Sequence, residues 1–367
     1  MQPRENVAIV IGDDTDPTTG RTGSYFGYWS NVEIRRSIDT YSTVKFDAPF
    51  EPKRKEFRDT FRPFTYKRLQ CLINLEPIVT GFSLGIDPET DWNGRTVSVT
   101  GYAKPAVFCN CNIPPDELGK GLSFNGQGLR SIVQRVAAPF GVACDFRNED
   151  ATPFAKCKLE IDKKIHEFLV DLAKQRNRVF TDTPEGELLC WQSVDPGRPV
   201  AWFVEGEPPL TKVTPKFSPE DYFSQITGFG KKKRGKKDTR WTVNNRWLEA
   251  PLRPHTFKLE DAERADVPEA TLVKMGKMFA AAASFTIEDL PGWRDQHGEL
   301  WTPNTTLMLE APGAMIYSPY EFLIRDVTLK QTKDADTATL EVVMPGAFSG
   351  KVPDSLPWSE ADESAAP

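Results

Sequence analysis

The sequence predicts an α+β, β-dominated protein: two similar β-barrel domains with an inserted small α+β domain and a helical insertion. Three observations carry this expectation. Alternating apolar runs dominate both ends of the chain, helix-period stripes are confined to its middle, and one order of strands and turns occurs twice.

Residues 1–108 read as strands. In "YFGYWSNVEIRRSI" the inward positions are Trp29, Val32, Ile34 and Ile38, and "KRLQCLINLEPIVTGFSLGID" supplies two further apolar runs. A polar turn at Asn93-Gly94 leads into "RTVSVTGYA", which alternates cleanly. This region is expected to be the first barrel.

Residues 109–205 change period. Leu129, Ile132, Val133 and Val136 form one helical stripe ended by Pro139 and Gly141. Ile165, Phe168, Leu169 and Leu172 form a second, with Asp162 as the expected cap. "RVFTDTPEGELLCWQS" then reads as a hairpin turning at Glu185-Gly186. Together these make a small α+β domain.

Residues 206–255 return to strands in "DYFSQITGFG" and "TRWTVNNRWL". The segment 256–284 is helical, with Pro268 in its first turn and "EATLVKMGKMFAAAA" as strong helix formers. Strands resume over 285–348 in "SFTIEDL", "TTLMLEA", "YEFLIRDVTLKQT" and "ATLEVVM". The second barrel is therefore expected from 206–255 and 285–348, interrupted by the helix, with a loose polar tail at 349–367. The duplication rests on "LQCLINLEPIVTGFSLGIDPETDWNGRTVSVTGYAKPA" and "TTLMLEAPGAMIYSPYEFLIRDVTLKQTKDADTATLEVVMPGA", which share one order of strands and turns at similar lengths.

Composition excludes several function classes. The chain has 367 residues, 39% hydrophobic and 27% charged, as in soluble globular proteins of two or three domains. No run approaches the ~20 apolar residues that span a bilayer, and "MQPRENVAIVIGDD" is no signal peptide. A cytoplasmic folding environment is expected. The net charge of −6 argues against general affinity for nucleic acid. Cys109-Asn-Cys111 lacks metal-knuckle spacing, and His166, His255 and His297 are far apart, so the six cysteines read as free thiols and no metal site is expected.

The motifs nearest to chemistry fail on context. "GFGKKKRGKKD" runs close to a phosphate-binding loop, but Lys237 stands where Ser or Thr must hold magnesium, and a strand pattern follows in place of a helix. A solvated hairpin tip is the expected form. His166-Glu167 lacks a second histidine because Val170 holds that position. Ser24, Ser37, Ser83 and Ser131 lie in no nucleophile elbow. Glu33/Asp39 and Asp87/Glu89 read as carboxylates of solvated turns. No catalytic, cofactor-binding or metal residue is assigned.

One contact set remains: Lys231, Lys232, Lys233, Arg234, Lys236 and Lys237 with Trp241, as a surface for a partner or DNA. Trp247 on the far side would complete an aromatic platform for single-stranded nucleic acid. Tryptophans in half-wet strands more often cover a barrel end or an oligomer contact.

Three stretches, "LRSIVQRVAAPFGVACDF", "IHEFLVDLAKQRNRVFTDTPEGELLCWQS" and "HGELWTPNTTLMLEAP" with "FLIRDVTL" and "TATLEVVMPGAF", together resemble one family. It is the baseplate hub proteins of contractile bacteriophage tails, of the Mu-type 43 kDa tail protein kind, related to the hub half of type VI secretion spike proteins. The likeness runs from about residue 25 to about residue 348, and its specificity lies in the order and spacing of the motifs.

The resemblance implies a homotrimer in which two tube-forming barrels per chain build a ring of pseudo-six-fold symmetry. Such a ring joins the tail tube to the central spike protein, touches other baseplate proteins, and leaves an axial channel for the transient passage of DNA. It implies no cofactor, no enzymatic activity and no membrane partner. The implied place is the virion tail baseplate, assembled in the bacterial host cytoplasm, with the piercing tip on another polypeptide. A nucleic-acid-binding module built on 231–237, Trp241 and Trp247 is the alternative. A cell-wall hydrolase would need a paired acid and base that the sequence does not offer.

Overall fold

The computed structural model describes residues 4–15, 22–26, 29–92, 94–119, 121–147, 152–192, 197–230, 239–248, 250–259, 266–348 and 350–359. The first part of the chain forms β1 (Val7–Thr15), β2 (Thr22–Phe26), β3 (Asn31–Ser37), β4 (Thr43–Pro49), α1 (Lys55–Thr60), β5 (Arg68–Ile73), β6 (Glu76–Thr90) and β7 (Arg95–Ala103). The middle holds α2 (Pro115–Leu118), α3 (Leu129–Ala137), β8 (Cys144–Phe146), α4 (Ile165–Gln175), β9 (Val179–Asp182) and β10 (Leu188–Trp191). After these come β11 (Trp202–Val204), β12 (Lys212–Phe217), β13 (Gln225–Phe229), β14 (Arg240–Asn244), β15 (Pro254–Lys258) and α5 (Asp266–Ala282). The last strands are β16 (Ala283–Pro291), β17 (Thr306–Ala311), β18 (Ile316–Thr332) and β19 (Asp336–Val343).

Local structure follows the side-chain periods. Val32 and Ile34 are fully buried, as the alternation in β3 requires, with Trp29 half-buried against the same core; Ile38, just beyond β3, is fully buried in a second, smaller cluster. On α3, Leu129, Ile132, Val133 and Val136 all face the core, and Gly141 takes a left-handed φ of 62° after the Pro139 turn. On α4, Ile165, Phe168, Leu169 and Leu172 do the same. The cap of α4 differs from expectation. The N-cap is Lys164, not Asp162, and its side chain makes no capping bond, so the helix is held by its apolar stripe.

The sheet topology departs from two separate closed barrels. Thirteen strands form one sheet in the order β12-β16-β19-β18-β3-β4-β7-β6-β5-β1-β2, with β17 bonded to β18 and to β11. No ring of hydrogen-bonded strands closes among the described residues. The physical reason is the length of β18. Its N-terminal half pairs with β17, whereas Asp326–Thr332 pair antiparallel with Ser37–Asn31 of β3. The two ends of the chain thus share one sheet. Two small sheets, β8-β10-β9 and β14-β13-β15, stand apart from it in hydrogen bonding.

Within the large sheet one five-strand unit occurs twice. The first runs β3-β4-β7-β6-β5, the second β12-β16-β19-β18-β17, and every neighbour is antiparallel in both. The correspondence extends to register. Ser83 faces Gly101 and Gly85 faces Thr100 across a bulge in β6; Ile324 faces Val342 and Asp326 faces Glu341 across a bulge at the same place in β18. Likewise Val44 faces Gly101 in β4, and Phe285 faces Val342 in β16. A short turn joins β3 to β4. In the second unit residues 218–282 take its place, carrying the β14-β13-β15 sheet and α5. Ile226, Met275, Met278 and Phe279 form a separate apolar cluster there with Ala283 and Met344.

Candidate assembly surfaces

The seam between the two units is a full strand junction. Leu329 lies opposite Ile34, both with no exposed surface, and Lys330 lies opposite Glu33 on the other face. Arg35 reaches across to the buried Asp326 at 3.2 Å. Farther along, Glu5 ties the two ends of the chain together. Its carboxylate meets Arg294 at 2.5 Å and accepts from Asn74 at 2.5 Å, and its carbonyl accepts from Gln331 at 3.0 Å. Each pair sets a buried carboxylate against a guanidinium that still reaches solvent, and such pairs fix a register more than they add net stability.

The α+β module is locked onto the β3–β4 turn. Asp182 accepts a hydrogen bond from the Ser42 amide at 2.6 Å. The Thr181 hydroxyl donates to the carbonyls of Ser37 and Thr40, at 3.0 and 2.7 Å. Burial pushes the Asp182 carboxyl up to about 6, against the opposing pull of the Ser42 bonds and the Arg36 guanidinium. A raised carboxyl in a cleft is a usual mark of catalysis, but here its bonds run to the backbone of its own scaffold. The cleft beside it holds only about 110 Å³.

The remaining titratable groups read the same way. The His166 ring packs edge-on against Tyr41, with Nδ1 3.2 Å from the hydroxyl, and burial lowers its pKa. The His255 ring stacks on Phe223 at 4.7 Å. All six cysteines are free, and burial raises the Cys71, Cys109 and Cys144 thiols, which makes them poor nucleophiles. Among the described residues no group of three or more His, Cys, Asp or Glu is placed to hold a metal, and no helix is long and apolar enough to cross a membrane. A cavity of about 430 Å³ between α4 and α5 is lined by Lys163, Lys174, Lys274 and Lys277 among others. Burial lowers the ammonium groups of Lys274 and Lys277, and Asp171 is bonded to Lys163 and Lys174 at 2.7 and 3.3 Å.

The basic contact set is only partly in view. Lys231, Lys232, Lys233, Arg234, Lys236 and Lys237 lie outside the described residues. Their supporting hairpin is formed by β13 and β14 and closed by the Gly230 amide donating to Thr239 at 2.8 Å. A strand does follow the basic stretch, as the sequence implied. Trp241 stands 49% exposed on β14. Trp247 is half-buried and held by contacts of its own. Its indole donates to the Pro353 carbonyl at 3.0 Å, and the Arg246 guanidinium lies 5.1 Å over its ring.

Sequence reasoning missed two open strand edges. The C-terminal half of β6, Leu84–Thr90, has β7 on one side and no strand on the other among the described residues; β12 has β16 alone. Asp87 and Glu89, expected in a turn, sit on this exposed strand. The available signal was like charge along one face of each segment: Asp87, Glu89 and Asp91 at every second position, and Lys212 and Lys216 four residues apart.

Comparison with known proteins agrees with this architecture. Residues 110–191 match the family model described as baseplate hub protein gp44-like, second domain. No curated protein sequence matches the chain. Among solved structures, the 43 kDa tail protein of prophage MuSo2 from Shewanella oneidensis is similar over 94% of this chain and 99% of that one, with a TM-score of 0.76 and 21% identity. A tail protein from Neisseria meningitidis MC58 is similar over 95% and 99%, with a TM-score of 0.75 and 14% identity. The E. coli c3393 protein, a component of the type VI secretion system with structural similarity to T4 tail proteins gp27 and gp5, matches over 89% and 76%, with a TM-score of 0.51 and 9% identity. The fold is that of these phage tail proteins, and its 110–191 segment matches the hub family model.

Proposed function

We propose that this chain is a structural hub of a contractile-tail baseplate, acting as a homotrimeric ring of pseudo-six-fold symmetry between the tail tube and the central spike protein. The observation that carries this reading is the five-strand unit used twice, in a chain whose 110–191 segment matches a hub family model. Two nearly equivalent tube-forming units per chain let three copies present six similar wall segments to a six-fold tube. The different connections of the two units keep three-fold character for a spike on the other side. Rings of this kind close through one head-to-tail contact repeated around the axis.

In this reading the tube-forming units are 1–108 and 206–217 with 283–348; β13, β14 and β15, expected in the second wall, belong with α5 to the insertion at 218–282, because they form a sheet of their own. The α+β module and this insertion sit outside the wall, and the segment expected as a loose tail packs back on the second unit through Leu356 and Trp358. The ring encloses a channel for DNA, contacts other baseplate proteins, performs no chemistry and belongs to the virion.

Light scattering of the purified chain, alone and with the spike protein, tests the reading: three copies per particle are expected, and a stable dimer would overturn it. The alternative role in nucleic-acid binding would use Trp241, 49% exposed, beside a Trp247 already engaged with Pro353 and Arg246. Filter binding that falls steeply with salt would revive it.

A further inference from the structure

The seam between the two units is a template for a second junction. In the seam, residues 326–332 of β18 pair with residues 37–31 of β3. The unit-to-unit register places Gly85–Asp91, in and just beyond β6, where Asp326–Thr332 stand, and Lys212–Ser218, in and just beyond β12, where Asn31–Ser37 stand. These are the two open edges. Val32, Ile34, Val327 and Leu329 are fully buried in the seam, whereas Asp87–Thr90 are exposed and Phe217 is 42% exposed.

Resting on the ring reading above, we propose that β12 of one copy pairs antiparallel with the C-terminal half of β6 of a second copy, in the register of the β18–β3 seam. The side chains agree with that register on both faces. One face sets Asp87 opposite Lys216 of the second copy and Asp91 opposite its Lys212, with Glu89 opposite Thr214. The other sets Ile86 opposite Phe217 and Thr90 opposite Val213. Opposite charges on one face and apolar groups on the other are what a half-wet antiparallel pair needs. The seam itself carries Lys330 opposite Glu33 on the corresponding face.

The backbone adds a specific device. The Asp91 amide donates to Gly94 at 3.1 Å, so odd-numbered residues of β6 beyond its bulge turn to β7 and Ile86, Pro88 and Thr90 turn to the open edge. The Ser218 amide donates to Ala282 at 2.8 Å, so even-numbered residues of β12 turn to β16 and Val213, Pro215 and Phe217 turn outward. The register sets Pro88 opposite Pro215, where the seam has Leu329 opposite Ile34. Neither proline donates, so the inter-copy junction is a weakened version of the seam, lacking its central hydrogen-bonded pair. Proline on an open edge keeps unassembled strands from pairing indiscriminately, which leaves the side-chain match to select the partner.

Asp87 and Lys216 form a non-hydrogen-bonded pair in this register, with Cα atoms ~4.5 Å apart, within the ~4.4–6.8 Å that a disulfide spans. Full-length D87C/K216C, oxidised at concentrations where light scattering is read in parallel, is expected to give covalent dimers and a closed covalent trimer. D87C alone and the out-of-register pair D87C/K212C are expected to stay at background. A three-copy mass without the D87C/K216C product overturns this pairing and leaves the ring reading standing. A monomeric mass at every concentration, with and without the spike protein and again without product, overturns both. Equal cross-linking of D87C/K212C overturns the register.

Discussion

Replacing Pro88 and Pro215 by the residues that occupy their places in the seam, Pro88→Leu and Pro215→Ile, should turn the weak junction into a strong one. Each substitution restores one amide donor aimed at the open edge. A ladder hydrogen bond contributes ~1 kcal/mol net, so a single substitution should raise the association constant of one contact about 5-fold. Two donors contribute ~2 kcal/mol, or about 30-fold. The unfolded chain gains freedom when proline is removed, which lowers protomer stability by ~0.4–1 kcal/mol per site. The two effects therefore move in opposite directions: the melting temperature falls slightly while assembly tightens. Light scattering over a dilution series reads the second quantity directly, as the concentration at which half the chain is assembled. A midpoint unmoved in the double variant, or one moved as far by either single variant, would refute the reasoning.

Three other outcomes follow from the described contacts. The Asp182 carboxyl, pushed up to about 6 from an ordinary 3.8, holds its proton more tightly folded than unfolded. Its contribution is complete below about pH 4 and is lost as pH rises through about 6, a fall of ~3 kcal/mol; urea midpoints for Asp182→Asn should lack this slope, and parallel slopes would refute the assignment. A Cβ at Gly81 would stand 1.8 Å from the Tyr102 carbonyl, so Gly81→Ala should cost ~3 kcal/mol or more, and a thermal midpoint within a degree or two of the parent would count against the close β6–β7 approach. The buried Trp293 indole donates to the carbonyls of Lys330 and Thr337 at 3.2 and 3.0 Å; Trp293→Phe should cost ~1–3 kcal/mol and speed amide exchange at the end of the β18–β19 hairpin, and unchanged exchange there would contradict this role.

Much of the local structure was legible because side-chain period reports on one element at a time. The stripes of α3 and α4 and the alternation of β7 and β19 needed no tertiary information. The cap at Lys164 was not legible, since Asp162 offers the better capping chemistry and Lys164 caps without a side-chain bond. Pairing across the chain was also hidden. Nothing near Asp326–Thr332 says that their partner is a strand almost a whole chain-length away, so two closed barrels were the natural expectation and one continuous sheet the outcome. The repeated order of strands was visible, but its register depended on the matching bulges before Gly85 and Asp326. The basic stretch drew attention because its charges are contiguous. The open edges escaped it because their charges are spaced along one face of two distant segments.

The connection between β12 and β16 has a consequence for how such a protein can diverge. A hairpin whose strands stay bonded while residues 218–282 fill its turn tolerates growth at that point, because closing a longer loop costs only ~0.6 kcal/mol per doubling. The matching β3–β4 turn, bolted down by Thr181 and Asp182, has no such freedom. Lineages descended from a common ancestor should therefore accumulate insertions and deletions at the first site and almost none at the second. A foreign domain grafted between β13 and β14 would be the natural way to hang cargo on the molecule.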